Sequence, residues 1–392
     1  MINNLQIIQL IYNFQIEGGG GGITRIAIDL SEFLKDYYKI TIISLGDFGS
    51  SFEYSRIQKL NNQGIKAFAA TKWNNKNPYI CFIKAYKSIS KYLSQISTTT
   101  ILHSHSEFSD IIALFLKLQY KHIHTIRTCH YGYKQEWKNR PFRRILLTNF
   151  LYPLSFNYEV GVNSSITNRL DNRFVSKILH KKAILINEGI NLNHFSNTKD
   201  ITCEIKSILG IPEKANIVGS IGRLAEQKGQ KYLLQAAKIV INKIPNTYFI
   251  IVGDGPLRND LEALSRILEI DQHVFFLGSR SDVINLLKCF DIFVLPSLWE
   301  GLPISLLESM ASNVPVITTS IPGCMDIITN ERNGILVDPR NPQALSEAIF
   351  QILHSPELRN KLSKNALDTV KEYSIENIAK VYSDLYMSLI SS

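Results

Sequence analysis

Short apolar runs alternate with segments of helical spacing along the whole chain. Gln6–Ile11 reads as the first strand, and Ile23–Leu34 after it reads as a helix. Ile40–Leu45, Thr99–His105, His122–Thr128 and Ala183–Asn187 are further strand candidates in the first half. Ala215–Ile221, Tyr248–Val252, His273–Leu277, Ile292–Leu295 and Val314–Thr318 follow in the second half. Gln230–Ile241 has the spacing of a crossover helix, and Ile375–Leu389 closes the chain as an amphipathic pattern. Strands alternating with helices predict a doubly wound α/β domain in each half. Around Asn197–Pro212 the composition turns polar and the pattern lapses. The expected organisation is therefore a first domain over 1–197, a linker over 198–212, a second domain over 213–372 and a terminal helix over 373–392.

Composition narrows the class. A chain of 392 residues suits two domains, each able to bury its own core, and a hydrophobic fraction of 45% with mean hydropathy −0.01 is that of a soluble globular protein. No uninterrupted apolar run approaches the ~18 residues that span a bilayer. The opening residues lack a basic region and run straight into a strand pattern, so no signal peptide is expected. Cys81, Cys129, Cys203, Cys289 and Cys324 are scattered, odd in number and free of C-x-x-C spacing, which argues against a disulfide framework or zinc site and fits a reducing cytoplasm. Residues 1–197 hold 24 Lys and Arg against 12 Asp and Glu, whereas 198–392 hold 19 against 22, so the whole excess behind the net charge of +9 lies in the first half. That asymmetry points to an anionic partner (a membrane surface, a lipid diphosphate or nucleic acid) or to no more than a solvated basic face.

The richest candidate chemistry lies in Ser297-Leu-Trp-Glu300-Gly301-Leu302-Pro303 and its continuation to Glu308 and Ala311. Asp291–Pro296 reads as a buried strand ended by proline, and Pro303 suits the first turn of a helix. Glu300 then lies in a loop beyond the strand end, and Glu308 falls about one and a half turns into the helix. The first N–H groups of a helix have no partner inside it, and with Gly301 and Leu302 in that position an anion or hydroxyl can use them. Two carboxylates beside such a terminus suit a ligand with many hydroxyls and a phosphate, such as a nucleotide sugar. A bare pair at this spacing is otherwise a surface glutamate and a half-buried helix glutamate. Gly222-Arg223-Leu-Ala-Glu-Gln-Lys228-Gly229 follows another strand end, where ligands of open parallel sheets bind, and its two cations can neutralise a diphosphate. Gly18–Gly22, between the first strand and helix, permits close approach to a phosphate or sugar.

These motifs, with His103-Ser-His105, Ile186-Asn-Glu188-Gly189, Gly253-Asp-Gly-Pro256, and Pro315-Val-Ile with Gly323, occur in order over nearly the whole chain. The set resembles the retaining glycosyltransferases of family 4 in the GT-B superfamily, whose mark is E-x7-E. The resemblance implies two Rossmann-like domains facing across a cleft, with the last helix crossing back onto the first domain from Tyr373-Ser374. It implies transfer of a sugar from a nucleotide-diphosphate donor, UDP-linked by expectation, by front-side attack, without cofactor or metal. By the same resemblance Glu308 grips the ribose hydroxyls, Glu300 with the N–H groups of Gly301 and Leu302 meets the transferred sugar, and Arg223 and Lys228 hold the diphosphate. Gly22 is assigned to the donor, Gly19 and Gly20 to the acceptor, and the loop Gly278–Asp282 to the edge of the nucleobase. The acceptor implied is a glycan or polyprenyl-diphosphate-linked glycan of cell-surface polysaccharide synthesis, at the inner face of the cytoplasmic membrane.

The histidines leave alternatives. His103 and His105 alternate along a strand and so share a face. His105 matches the family's cleft histidine near the reacting sugar, while His103 suits packing. His130, in Thr-Cys-His-Tyr-Gly, either touches the acceptor or is a satisfied core residue. Lys134–Arg144 interleaves cations with Trp137 and Phe142, which fits an anionic membrane interface as well as it fits a structural helix with a basic face; no nucleic-acid motif accompanies it. The chain departs from the family in having five glycines for a pair, Asn313 for a turn glycine, Asn191 for an aspartate, and Glu188 inserted in an Asn-Gly pair. Two competing readings remain: a nucleotide-sugar 2-epimerase of the same fold, and a non-catalytic nucleotide-sugar-binding partner of another transferase.

Overall fold

The structure, a computed structural model, describes residues 5–15, 22–130, 141–196 and 204–391. They form two compact units. One takes the chain through Glu188 and again from Ile375; the other runs from Gly189 to Ser374.

In the first unit β1 (Leu5–Ile11), β2 (Lys39–Ser44), β3 (Lys66–Ala69), β4 (Thr99–Ser104), β5 (Ile123–Cys129), β6 (Tyr158–Gly161) and β7 (Ile184–Leu185) make one sheet in the order β3-β2-β1-β4-β5-β6-β7. Every neighbouring pair is parallel. Successive side chains alternate faces. Leu5, Ile7 and Ile11 therefore join a core with the helix Gly22–Leu34 and the terminal helix Ile375–Ser388, whereas Ile8 and Leu10 join Ala85, Ile89 and Leu93 of the helix Pro78–Leu93. The two glutamines that break the β1 pattern are both buried and both paired: Gln6 donates to Thr41 Oγ1 (3.2 Å) and the Tyr92 hydroxyl (3.0 Å), and Gln9 to the Tyr386 hydroxyl (3.3 Å). Satisfied in this way, they cost the strand little. The terminal helix buries Ile375, Ile378, Ala379, Tyr382, Leu385 and Tyr386, a single stripe at helical spacing.

In the second unit β8 (Asn216–Ile221), β9 (Thr247–Val252), β10 (Val274–Gly278), β11 (Ile292–Leu295), β12 (Val316–Thr319) and β13 (Ile335–Val337) make a second parallel sheet, ordered β10-β9-β8-β11-β12-β13. The helix Gln230–Lys243 packs Leu233, Leu234, Ala236, Ala237 and Val240 onto it. Both units are thus doubly wound and Rossmann-like. In each, the strand order reverses beside its first strand, between β1 and β4 and between β8 and β11. Ligands of open α/β sheets lodge beyond the carboxyl ends of the strands at such a reversal.

Three strands escaped the apolar pattern. β3 is a four-residue edge strand and β13 a three-residue one. β6, Tyr-Glu-Val-Gly, carries Glu159, which is buried because Arg127 and Arg173 both close on it. Among the described residues no helix is long and apolar enough to cross a membrane.

Candidate functional site

In the second unit, β8 and β11 run out side by side at the reversal, and their loops are stitched together. Gly229 adopts φ +63°, and a Cβ there would stand 2.1 Å from the Pro296 carbonyl oxygen, so glycine lets the turn Glu226–Lys228 lie against the end of β11. Leu298 N donates to Gln227 O (2.7 Å), and Gln227 Nε2 donates to Trp299 O (3.1 Å) and Glu300 Oε2 (3.2 Å). Lys228 Nζ reaches Glu300 Oε1 at 2.6 Å, and Ser297 Oγ donates to the same oxygen at 2.6 Å. The Glu300 side chain is 5% exposed and that of Lys228 17%, so the pair lies mostly out of water while its cation keeps an open side. Arg223 is exposed, on a backbone held by Gln230 Nε2 donating to its carbonyl (2.9 Å). Nearby Cys324 is no nucleophile: burial first, and the Glu300 charge after it, push its thiol up to about 12.

The helix Ile304–Ala311 follows, with Pro303 at the cap position, one residue ahead of the first turn. Leu302 and Glu308 are both buried, Glu308 on a face that continues through Ala311. Asn313 takes φ +58°, the left-handed conformation that Asn tolerates best after Gly, which explains how it serves in the turn before Pro315. β10 ends on Gly278 at φ +69°, and the loop after it carries Arg280 forked on Asp282, at 2.8 and 2.6 Å. A cavity of about 470 Å³ opens at the other end of the Glu308 helix, lined by Leu192, Phe195, Lys288, Asn313, Val370 and Lys371 among others, and none of the site residues lines it.

In the first unit, the reversal between β1 and β4 is occupied by a buried polar chain. His105, just past β4, places Nε2 2.7 Å from Gln9 Oε1 and Nδ1 3.2 Å from His130 Nε2. His130, just past β5, places Nδ1 2.5 Å from Glu188 Oε1. His103 meets the Tyr386 hydroxyl with Nδ1 (2.7 Å) and Thr128 Oγ1 with Nε2 (2.8 Å), and Thr128 Oγ1 meets the Tyr382 hydroxyl (3.0 Å). All of these side chains are buried. Burial, with the charge of His130 behind it, holds His103 down at about 3; burial likewise holds His105 well below the usual imidazole range, and Tyr382 and Tyr386 above the usual phenol range. Among the described residues no group of three or more His, Cys, Asp or Glu is disposed to hold a metal ion.

The structure therefore brings together Lys228 with Glu300, and His105 with His130. Gly22 opens the helix Gly22–Leu34 with nothing within 4 Å of an added Cβ, while Gly19, Gly20 and Lys134–Arg140 lie outside the described residues. Ser297, Gln227, Gln9 and Glu188 are site neighbours that motif spacing did not assign. Ser297 had a signal in its place three residues before Glu300. Glu188 had one as the extra acid in an Asn-Gly pair.

Comparison with known proteins falls on the same residues. Residues 202–369 match the model of the family Glycosyl transferases group 1. That segment contains Arg223, Lys228, Glu300 and Glu308. The chain is 33% identical over 216 residues to the Escherichia coli UDP-Gal:alpha-D-GlcNAc-diphosphoundecaprenol alpha-1,3-galactosyltransferase, a match over 53% of this chain and 55% of that protein, about half of its length. It is 29% identical to the N,N'-diacetylbacillosaminyl-diphospho-undecaprenol alpha-1,3-N-acetylgalactosaminyltransferase of Campylobacter jejuni, over 86% of this chain and 89% of that protein. The crystal structure of Anabaena HepE in complex with UDP and glucose is similar in fold, with TM-score 0.81 at 17% identity over 98% of this chain and 99% of that one.

Proposed function

We propose that this chain is a retaining glycosyltransferase that moves a sugar from a UDP-linked donor to a lipid-borne glycan. The observation that carries this reading is the Lys228–Glu300 pair at the strand reversal of a sheet that matches glycosyl transferases group 1. Glu308 holds the ribose, and Glu300, fixed by Ser297 and Gln227, receives the hydroxyls of the sugar. Lys228 turns from Glu300 toward the diphosphate when the donor arrives, and Arg223 joins it, so two cations meet the charge that grows on the leaving group. The bond from the anomeric carbon to the diphosphate oxygen breaks as an acceptor hydroxyl bonds to the same face. Its proton passes to the departing diphosphate. His105 meets the sugar by exchanging its bond to Gln9 for one to a sugar hydroxyl.

A lipid-borne acceptor has two supports. The Escherichia coli and Campylobacter relatives are named for undecaprenyl-diphosphate-linked acceptors. In the first unit, Phe142, Leu146, Leu154, Phe174 and Ile178 are each more than half exposed, on three short helices grouped around the turn Leu147–Leu151. Lys177 and Lys182 are exposed beside them. The acids of 141–185 are Glu159, which is buried, and Asp171, which accepts the Ala183 N–H (2.7 Å). Glu107, from the start of the helix Glu107–Gln119, pairs with Arg143 there at 3.0 Å. A surface of exposed apolar and basic residues fits an anionic bilayer.

Calorimetric titration with UDP tests the donor site. Glu308→Ala is expected to lose UDP binding that the parent protein shows. Equal affinity in the two would move the donor site elsewhere.

A further inference from the structure

The chain of buried side chains at the β1–β4 reversal can be joined by hydrogen bonds in two opposite senses, and the two differ by one proton. In the sense drawn by the structure, Gln9 Nε2 donates to the Tyr386 hydroxyl and Gln9 Oε1 faces His105 Nε2. His105 Nε2 then carries a proton and Nδ1 is bare, so His130 Nε2 must donate across the 3.2 Å between the rings. His130 Nδ1, 2.5 Å from Glu188 Oε1, then needs a second proton in that bond. Downstream, the Tyr386 hydroxyl donates to His103 Nδ1, and His103 Nε2 donates to Thr128 Oγ1.

The opposite sense uses the same heavy-atom positions. With Glu188 an ionised carboxylate and every imidazole neutral, His130 donates from Nδ1 to Glu188 and accepts at Nε2 from His105 Nδ1. His105 Nε2 is then an acceptor, met by Gln9 Nε2 once the amide has turned over. Amide oxygen and nitrogen are nearly the same size, so the turn leaves the packing unchanged. Tyr386 then donates to Gln9, His103 Nδ1 to Tyr386, and Thr128 to His103 Nε2. Every donor again has its acceptor. The balance is one proton: the first sense holds it in the His130–Glu188 bond, and the second has released it to solvent.

We propose that Glu188 and His130 are positioning residues whose shared proton sets whether His105 Nε2 donates or accepts a hydrogen bond. This rests on the reading that His105 meets the transferred sugar, because the sense of Nε2 decides which way a sugar hydroxyl must point to replace Gln9. Among the described residues, the other titratable groups that act on the pair are His103 on β4 and Tyr382 on the terminal helix, with Cys129 and Tyr386 next to them. Burial keeps all four neutral around pH 7, His103 by lowering it and the thiol and phenols by raising them. Arg127 also stands near Cys129, but its charge is held by Asp110 and Glu159.

The test is nitrogen NMR of the full chain labelled at its nine histidines, titrated between about pH 5 and 9, with His105 and His130 assigned by substitution. The expected result is that His105 carries its proton on Nε2 wherever the His130–Glu188 bond holds the extra proton, and on Nδ1 wherever it does not. Glu188→Gln can serve either sense without a proton, so in that variant the His105 tautomer is expected to be the same throughout. A His105 tautomer that stays fixed in the parent chain while the pair loses its proton overturns the proposal, as does a swap that persists in Glu188→Gln. The parent titration alone decides the matter if that variant does not fold. No substrate enters the measurement, so its outcome is separate from that of the glycosyltransferase reading.

Discussion

Glu300 is held in place by groups that substitution can separate. Glu300→Gln keeps partners for Ser297 and Gln227 and removes the charge that meets Lys228 and, in the proposed function, the sugar. Nucleotide release is expected to slow by about 10²–10³-fold, the range seen when one preorganised polar group is lost from an active site. UDP affinity, which the proposed function assigns to Glu308, Lys228 and Arg223, is expected to stay within a few-fold; stopped assays and calorimetry on the same protein check both. His103 gives a second expectation. Its folded value of about 3 lies below the ordinary 6.5, so the unfolded chain binds the proton first. Its share of stability is complete above pH 6.5 and is lost as pH falls toward 3, by about 1.4 kcal/mol per unit. Urea unfolding of the parent is expected to weaken more steeply from pH 6.5 to 4.5 than that of His103→Gln. At this scale Lys228 and Glu300, which the structure pairs, stood out in the sequence because they lie in short, spaced motifs. Glu188 was visible only as an oddity, since its meaning comes from His130, 58 positions away in the chain.

Apolar residues made β1, β8 and β11 readable without a structure, and β4 through Ile101 and Leu102, these being the strands at the two reversals. Edge strands of three or four residues carry too little pattern, and β6 hides a charge that only Arg127 and Arg173 explain. The terminal helix was readable as an amphipathic stripe, but the work of its two tyrosines was not. Tyr386 packs in the core of the first unit, and its hydroxyl meets both Gln9 and His103. Tyr386→Phe is expected to cost about 1–3 kcal/mol, the penalty of leaving buried polar partners unmet. Scanning calorimetry checks this: the transition of the first unit should fall in temperature while that of the second is unchanged. A uniform shift of both would mean that the helix does not act through the first unit's core.

For the whole molecule, the uneven charge along the chain was plain in the composition, and the structure adds apolar residues that the charge alone could not reveal. Phe142→Ser, Leu146→Ser and Phe174→Ser together touch only exposed positions. Flotation with vesicles rich in anionic lipid is expected to recover at least about ten-fold less of this variant than of the parent. Equal recovery would remove the membrane from the account and leave the donor site untouched. The glycosyltransferase reading itself is tested most directly by mass spectrometry of nucleotide released from UDP-, GDP- and ADP-sugars, with and without a membrane lipid extract. The account predicts UDP from one UDP-sugar, rising when the extract is present and lost in Glu308→Ala. No release from any donor, with or without the extract, would contradict it.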